Sequence, residues 1–156
     1  MTIEVLEKAR DTARKAGDKA RVVTLNDVIA AVRKVETAGK KKIELTETMV
    51  NEALISYRKM LKDGIAAAPV DSVLHKIYTE QMDILMEYCP PVLEDEIEIE
   101  NLILTTLHLH GIPIGKKNKG LMMKALMPVL RSHNADMGVA MPLIDFMISE
   151  AEKTNG

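Results

Sequence analysis

The sequence contains few of the residues that cross-link small proteins, bind metals or stack on nucleic-acid bases. One cysteine, Cys89, occurs in 156 residues, so no disulfide can form within the chain and no multi-cysteine zinc site can be built. Tryptophan is absent, and three tyrosines and one phenylalanine leave few rings for base stacking. A chain of this length buries about two thirds of its unfolded surface, so it needs no metal or disulfide to remain folded.

The net charge and the length of the apolar runs argue against a generally polyanion-binding protein and against a membrane protein. With 23 acidic and 21 basic residues the net charge is −2, so any contact with a polyanion must be local. No apolar run approaches the roughly 18 residues that a membrane-spanning helix needs. The first residues lack the basic and apolar blocks of a signal peptide. We therefore expect a soluble cytoplasmic protein with no membrane partner.

Apolar residues recur at spacings of three and four along nearly the whole chain, which is typical of helices. Glycine and proline divide this pattern into about seven segments. The boundaries predicted from these residues are 3–16, 18–39, 46–64, 69–88, 94–110, 118–131 and 136–153. The sequence predicts an all-α fold, with an N-terminal helical subdomain over residues 1–91 and a C-terminal three-helix bundle over residues 92–156. Pro90-Pro91 is the candidate boundary between them.

Particular residues suggest how the helices begin and end. Asp18 and Thr46 have side chains that can accept a hydrogen bond from an amide in the first helical turn. Pro69 suits a first helical position. Pro128 predicts a kink or an early end in the sixth helix, and Pro142 leaves open whether the last helix begins near residue 136 or near residue 141.

The fifth helix has an acidic start and more apolar residues than one buried face requires. Carboxylates are favoured at a helix N-terminus by the free amides and the macrodipole, which is sufficient to explain the acidic run. The helix is apolar on more than one side, so we expect it at the centre of the second subdomain. The acidic residues are Glu94, Asp95, Glu96, Glu98 and Glu100.

The sequence lacks a recognisable catalytic or metal-binding set. His108 and His110 are two residues apart, so on a helix they point about 200° apart and cannot share one ion. No phosphate-binding glycine loop, dinucleotide motif or zinc-protease motif occurs. Cys89 precedes a proline with no histidine nearby, which favours a structural thiol. We therefore predict no catalytic residue, no cofactor and no metal ion.

A local basic stretch gives the clearest functional hypothesis. No aspartate or glutamate occurs from Asn101 through Ala135. Loop lysines that lead into a helix can place ammonium groups around a phosphate without reading sequence. We therefore predict that the bases of this stretch project toward one side and contact RNA; the alternative is a solvated surface balanced by the acidic helix start. These bases are Lys116, Lys117, Lys119, Lys124 and Arg131.

Methionines are concentrated in the last two helices. Flexible thioethers fill irregular gaps in a core, and they also line adaptable grooves that accept partner helices. A helical protein–protein interaction module with a methionine-rich groove and no nucleic-acid role is therefore the alternative function. The six residues are Met122, Met123, Met127, Met137, Met141 and Met147.

Three segments resemble the YqeY family. Residues 88–97 (YCPPVLEDEI) are similar to that family's YLPxxLSEEEI junction. Residues 119–128 (KGLMMKALMP) resemble its MGKVMGALMPKV segment. Residues 16–21 (AGDKAR) and 28–32 (VIAAV) are similar, more loosely, to its KDKxRLxxIRxxxAAI opening. The resemblance extends in order over nearly the whole chain.

This resemblance implies an all-helical protein whose second subdomain corresponds to the tail of the B subunit of glutamine-dependent aminoacyl-tRNA amidotransferase. In that enzyme the tail is associated with tRNA contact, whereas the chemistry resides in other domains. The resemblance thus implies a noncatalytic tRNA-binding or amidotransferase-accessory module, with tRNA or a protein as partner. It also associates the chain with carbon–nitrogen ligases that use glutamine as amido-nitrogen donor, although no residue here is recognisable as catalytic for that reaction.

Overall fold

A computed structural model describes residues 1–155, and these residues form seven α-helices with no β-strand. The all-α prediction is confirmed. The chain divides into two compact units, Met1–Pro90 with the first four helices and Pro91–Gly156 with the last three. The helices are α1 (Ile3–Lys15), α2 (Lys19–Thr37), α3 (Glu47–Ala67), α4 (Val73–Leu85), α5 (Glu96–His110), α6 (Lys119–Ser132) and α7 (Met137–Asn155), and one 3₁₀ turn covers Lys116–Asn118.

In the first unit, helix ends follow the capping residues that the sequence indicates. Asp18 accepts a hydrogen bond from the Arg21 amide at 3.1 Å, and Thr46 accepts one from the Met49 amide at 3.2 Å. Gly17 has a φ of +74°, a left-handed conformation that suits glycine and lets α1 turn directly into α2. The four helices enclose one apolar core, which includes Leu6, Leu25, Val28, Val32, Val50, Leu54, Leu61, Leu85 and Cys89.

Three predicted helix boundaries in this unit are wrong, and one of them is the end of α4, which lies at Leu85 and not near Tyr88. Helix α3 is predicted to end at Gly64, but it continues to Ala67. Gly64 lies inside the helix, where the absence of a side chain leaves room for the ring of Tyr78. A Cβ atom at Gly64 would lie 2.9 Å from Cε2 of Tyr78. Helix α4 begins at Val73 and not at Pro69. Ser72 caps it by accepting a hydrogen bond from the His75 amide at 3.1 Å.

In the second unit, helix α5 packs against both α6 and α7. Asp95 caps α5 by accepting a hydrogen bond from the Glu98 amide at 2.9 Å, as its acidic start leads us to expect. Only one side of α5 is buried, whereas Ile97 and Leu109 are 69% and 78% exposed. The second apolar side of this helix therefore faces solvent. The core of the unit includes Ile99, Ile103, Leu107, Met122, Leu126, Leu130, Ala140, Leu143, Ile144 and Ile148.

The two prolines of the second unit lie inside helices. Helix α6 continues through Pro128 to Ser132, so the predicted early end is wrong. Pro128 has no N–H to donate to the Lys124 carbonyl, and its own position is exposed. Helix α7 begins at Met137, because Asp136 accepts a hydrogen bond from the Gly138 amide at 2.8 Å. The alternative start near Met141, with Pro142 in the first turn, is therefore wrong.

A short backbone pairing joins the start of the second unit to the α6–α7 connection. The Leu93 N–H donates to the Asn134 carbonyl at 3.0 Å, and the Asp136 N–H donates to the Leu93 carbonyl at 2.8 Å. Asn134 has a φ of +51°, a left-handed conformation that asparagine tolerates better than most residues. These bonds fix the turn from which α7 begins.

Candidate nucleic-acid interface

The loop before α6 is held by backbone and side-chain contacts on both sides. Helix α5 ends at Gly111, whose φ is +63°, and the Ile112 N–H donates back to the Leu107 carbonyl at 3.0 Å. Ile112 and Ile114 pack against the core of the unit. The Asn118 side-chain amide donates to the Pro113 carbonyl at 3.0 Å. The loop lysines therefore project from an anchored backbone.

Two of the predicted bases meet carboxylates of α7. Nζ of Lys119 lies 3.0 Å from Oδ1 of Asp145. The backbone N–H of Lys116 donates to Oε1 of Glu152 at 2.7 Å. These four residues line one open cavity of about 570 Å³ together with Ile148, Ser149 and Lys153. A carboxylate thus already binds the Lys116 amide that a phosphate would otherwise contact.

The two carboxylates change the charge that the loop presents. The acid-free stretch of the sequence ends before α7, but α7 brings Asp145 and Glu152 beside the loop. Over residues 91–156, nine acidic residues outnumber six basic ones. A seven-residue spacing puts Asp145 and Glu152 on one face of a helix, which is the signal in the sequence that could have identified them.

The other three predicted bases lie outside this cavity and are exposed. Lys117 makes no ion pair with any residue that the structure describes. Lys124 and Arg131 are seven residues apart on α6, so they project within about 20° of each other and about 10 Å apart along the axis. Lys119, at the start of α6, projects about 140° away from Lys124. The structure thus separates the five bases into groups and does not gather them on one side.

Five of the six methionines of α6 and α7 pack into or against the core. Met122 is fully buried, and the other five are half-buried. Four of those five contact the core directly: Met123, Met137, Met141 and Met147. None of these six side chains is fully exposed.

The remaining candidates for chemistry lie apart. His108 and His110 are both exposed in the last turn of α5. Burial raises the pKa of the Cys89 thiol, which keeps it protonated and poorly nucleophilic. Residues 1–155 contain no cluster of three or more side chains suited to hold a metal ion. None of the helices described is long and apolar enough to cross a membrane.

A charged cluster in the first unit connects the start of α2 with the turn after α4. The Arg21 guanidinium donates to Glu87 and to the Tyr88 hydroxyl, the latter at 2.9 Å. Its Nε also lies 3.3 Å from Oδ2 of Asp18. The hydrogen bonds from Arg21 lower the pKa of Glu87 below its ordinary value. This cluster stabilises the packing of helices within the unit.

Comparison with known proteins agrees with the motifs found in the sequence. The family model described as Yqey-like protein matches residues 3–145. That match covers α1 to α6 and the first half of α7. No curated protein matches the chain. Because the match covers most of the sequence, the chain belongs to the YqeY family.

Proposed function

We propose that this protein is a noncatalytic module that binds tRNA through its phosphate backbone. The observation that carries the proposal is the position of Lys117, Lys124 and Arg131, which are exposed outside the cavity that the α7 carboxylates share. Lys116 and Lys119 lie apart from Lys124 and Arg131 and contribute less, because Asp145 pairs with the Lys119 ammonium group and Glu152 accepts a hydrogen bond from the Lys116 backbone N–H.

The chemistry of these side chains favours contact with phosphates over recognition of bases. Lys124 and Arg131 lie about 10 Å apart on one face of α6, so they can contact separate phosphates of one strand. The second unit contains one aromatic residue, Phe146, which leaves little for base stacking. We therefore expect binding that depends weakly on sequence and strongly on salt.

The resemblance of the second unit to the tail of the amidotransferase B subunit supports tRNA as the ligand. In this proposal the protein acts beside an amidotransferase or on tRNA alone, and it supplies binding without catalysis. The competing hypothesis of a methionine-lined groove has less support, because five of the six methionines of α6 and α7 are packed into or against the core.

The test is a titration of tRNA with the full chain and with the variant K117A/K124A/R131A. Removing three phosphate contacts should reduce affinity at least about tenfold at 100 mM salt and make the salt slope shallower by about one for each residue. The control K34A/K59A/K76A removes the same charge from exposed positions of the first unit. If both variants bind tRNA equally well, this assignment of residues is wrong.

A further inference from the structure

The α1–α2 hairpin of the first unit carries a second concentration of positive charge. Residues 8–21 contain six lysines and arginines against two acidic residues. The bases are Lys8, Arg10, Arg14, Lys15, Lys19 and Arg21. This imbalance is not apparent from the net charge of the chain.

Both carboxylates in this segment are already engaged by arginines. Oδ1 of Asp11 lies 3.2 Å from Nε of Arg10 and 3.8 Å from Nη1 of Arg14. Asp18 binds Arg21 and also caps α2. These two carboxylates therefore pair with arginines, and neither forms an ion pair with a lysine of the segment.

The three lysines lie on the outer side and the turn end of the hairpin. Lys8 and Lys15 are seven residues apart on α1, so they project within about 20° of each other and about 10 Å apart along the axis. Both point about 200° away from the buried residues Leu6 and Ala13. Lys19 begins α2, immediately beyond the turn that follows Lys15. All three side chains are exposed, and none forms an ion pair with another described residue.

This arrangement differs from the loop before α6 in its surroundings. There, carboxylates of α7 bind the Lys116 amide and the Lys119 ammonium group. No described carboxylate forms an ion pair with Lys8, Lys15 or Lys19, and the nearest acidic residue on their face of α1 outside residues 8–21 is Glu4, one turn before Lys8. Residues 8–21 therefore present a net positive charge, which attracts a polyanion.

We propose that Lys8, Lys15 and Lys19 bind the phosphate backbone of RNA and give the first unit a nucleic-acid contact of its own. The inference shares its ligand with the proposed function but not its residues. Lys8 and Lys15, about 10 Å apart on one face of α1, and Lys19 at the start of α2 can contact separate phosphates of one strand. Residues 1–21 contain no aromatic residue that could insert into a lipid interface, so RNA is favoured over a membrane surface.

The groove beside Lys8 offers space for the strand. It has a volume of about 460 Å³ and is lined by Val5, Ala9, Thr12 and Ala13 on α1, by Ala16 and Asp18 of the turn that follows, and by Arg21 and Tyr88. Short side chains at these positions let a ligand approach close to the helix. The groove supports the proposal but is not required for it, because the lysine contacts are electrostatic.

The experiment compares the full chain with K8Q/K15Q/K19Q by fluorescence anisotropy with labelled tRNA, over about 50 to 200 mM salt. We expect affinity to fall at least about tenfold and the salt slope to become shallower by about three. The variant K8R/K15R/K19R retains the charge and should bind like the wild type. The control K34Q/K59Q/K76Q removes equal charge elsewhere and should bind much more tightly than the hairpin variant. Thermal unfolding checks that each variant is folded.

The outcomes separate this inference from the proposed function. If only K117A/K124A/R131A loses affinity, the hairpin inference is wrong and the proposed function stands. If only K8Q/K15Q/K19Q loses affinity, the hairpin binds RNA and the residues proposed in the second unit do not. Equal binding by the hairpin variant and its control overturns the inference. Binding of the wild type to phosphatidylserine vesicles but not to tRNA also overturns it.

Discussion

Neutralising Asp145 and Glu152 should increase the affinity of the protein for tRNA. Their carboxylates lie beside two of the bases that we assign to the interface, at 3.0 Å from Lys119 Nζ and 2.7 Å from the Lys116 amide nitrogen. The variant D145N/E152Q removes both charges while keeping side chains of the same shape. An RNA phosphate then no longer competes with a carboxylate for these groups.

The size of the gain follows from the exposure of the pair. The side chains of Lys119 and Asp145 are 49% and 59% exposed, so solvent weakens their attraction. Two unit charges at 4 Å in water interact by about 1 kcal/mol, and exposed pairs contribute about 0.2–1 kcal/mol. Removing one competing charge should therefore raise affinity about 1.4- to fivefold, and removing both about two- to 30-fold. We expect folding stability to fall by about 1 kcal/mol or less for each lost charge.

The assay is the tRNA titration at low salt, where the effect is largest, and again at about 500 mM salt, where screening reduces it. The control E96Q/E98Q removes the same charge from exposed positions on α5. The two variants should differ at low salt and converge at high salt. An affinity for D145N/E152Q that equals that of the control, or is lower than that of the wild type, would refute the competition between carboxylate and phosphate.

Three further predictions concern stability in the first unit. Replacing Gly64 by Val should lower the free energy of unfolding by about 1–3 kcal/mol, measured by urea denaturation, because even a Cβ there would lie 2.9 Å from the Tyr78 ring; an unchanged value would contradict that close contact. Ser72→Ala removes the cap of α4 and should cost about 1 kcal/mol in the same assay, whereas Ser72→Asp, which can still cap, should cost less. Because Arg21 lowers the pKa of Glu87, this pairing stabilises the protein above the ordinary glutamate pKa and is lost as pH falls through the lowered value. Glu87→Gln should therefore be less stable than the wild type at pH 7, and the difference should disappear as the pH falls through that lowered pKa; a difference that is constant with pH would contradict this.

Local patterns in the sequence predict most of the fold. Asp18 and Thr46 cap helices where expected, and the apolar spacing identifies all seven helices. The errors arise where tertiary contacts override local preference. The local sequence predicts a helix end at Gly64, but Gly64 lies inside α3, and the ring of Tyr78 from α4 packs against it. Pro128 predicts a kink or an early end, but α6 does not end there, since burial of Leu126 and Leu130 on either side stabilises the helix.

The candidate interface was less predictable than the fold. Counting charged residues along a stretch of sequence misses the charged residues that other helices bring beside it. An acid-free stretch from Asn101 to Ala135 suggests a basic patch, yet α7 packs beside the loop and brings Asp145 and Glu152 to it. Identifying this balance requires knowing which face of α7 meets the loop. That depends on how the helices pack, which local periodicity does not determine.

The position of Cys89 has a practical consequence for following how the protein opens. It is the only thiol in the chain, and 9% of its surface is accessible within the core of the first unit. A thiol reagent can reach it only when that core opens, so the labelling rate reports the local opening equilibrium without any introduced probe. The labelling rate of Cys89 therefore measures opening of the first unit, and the stability variants of that unit can be ranked by this rate.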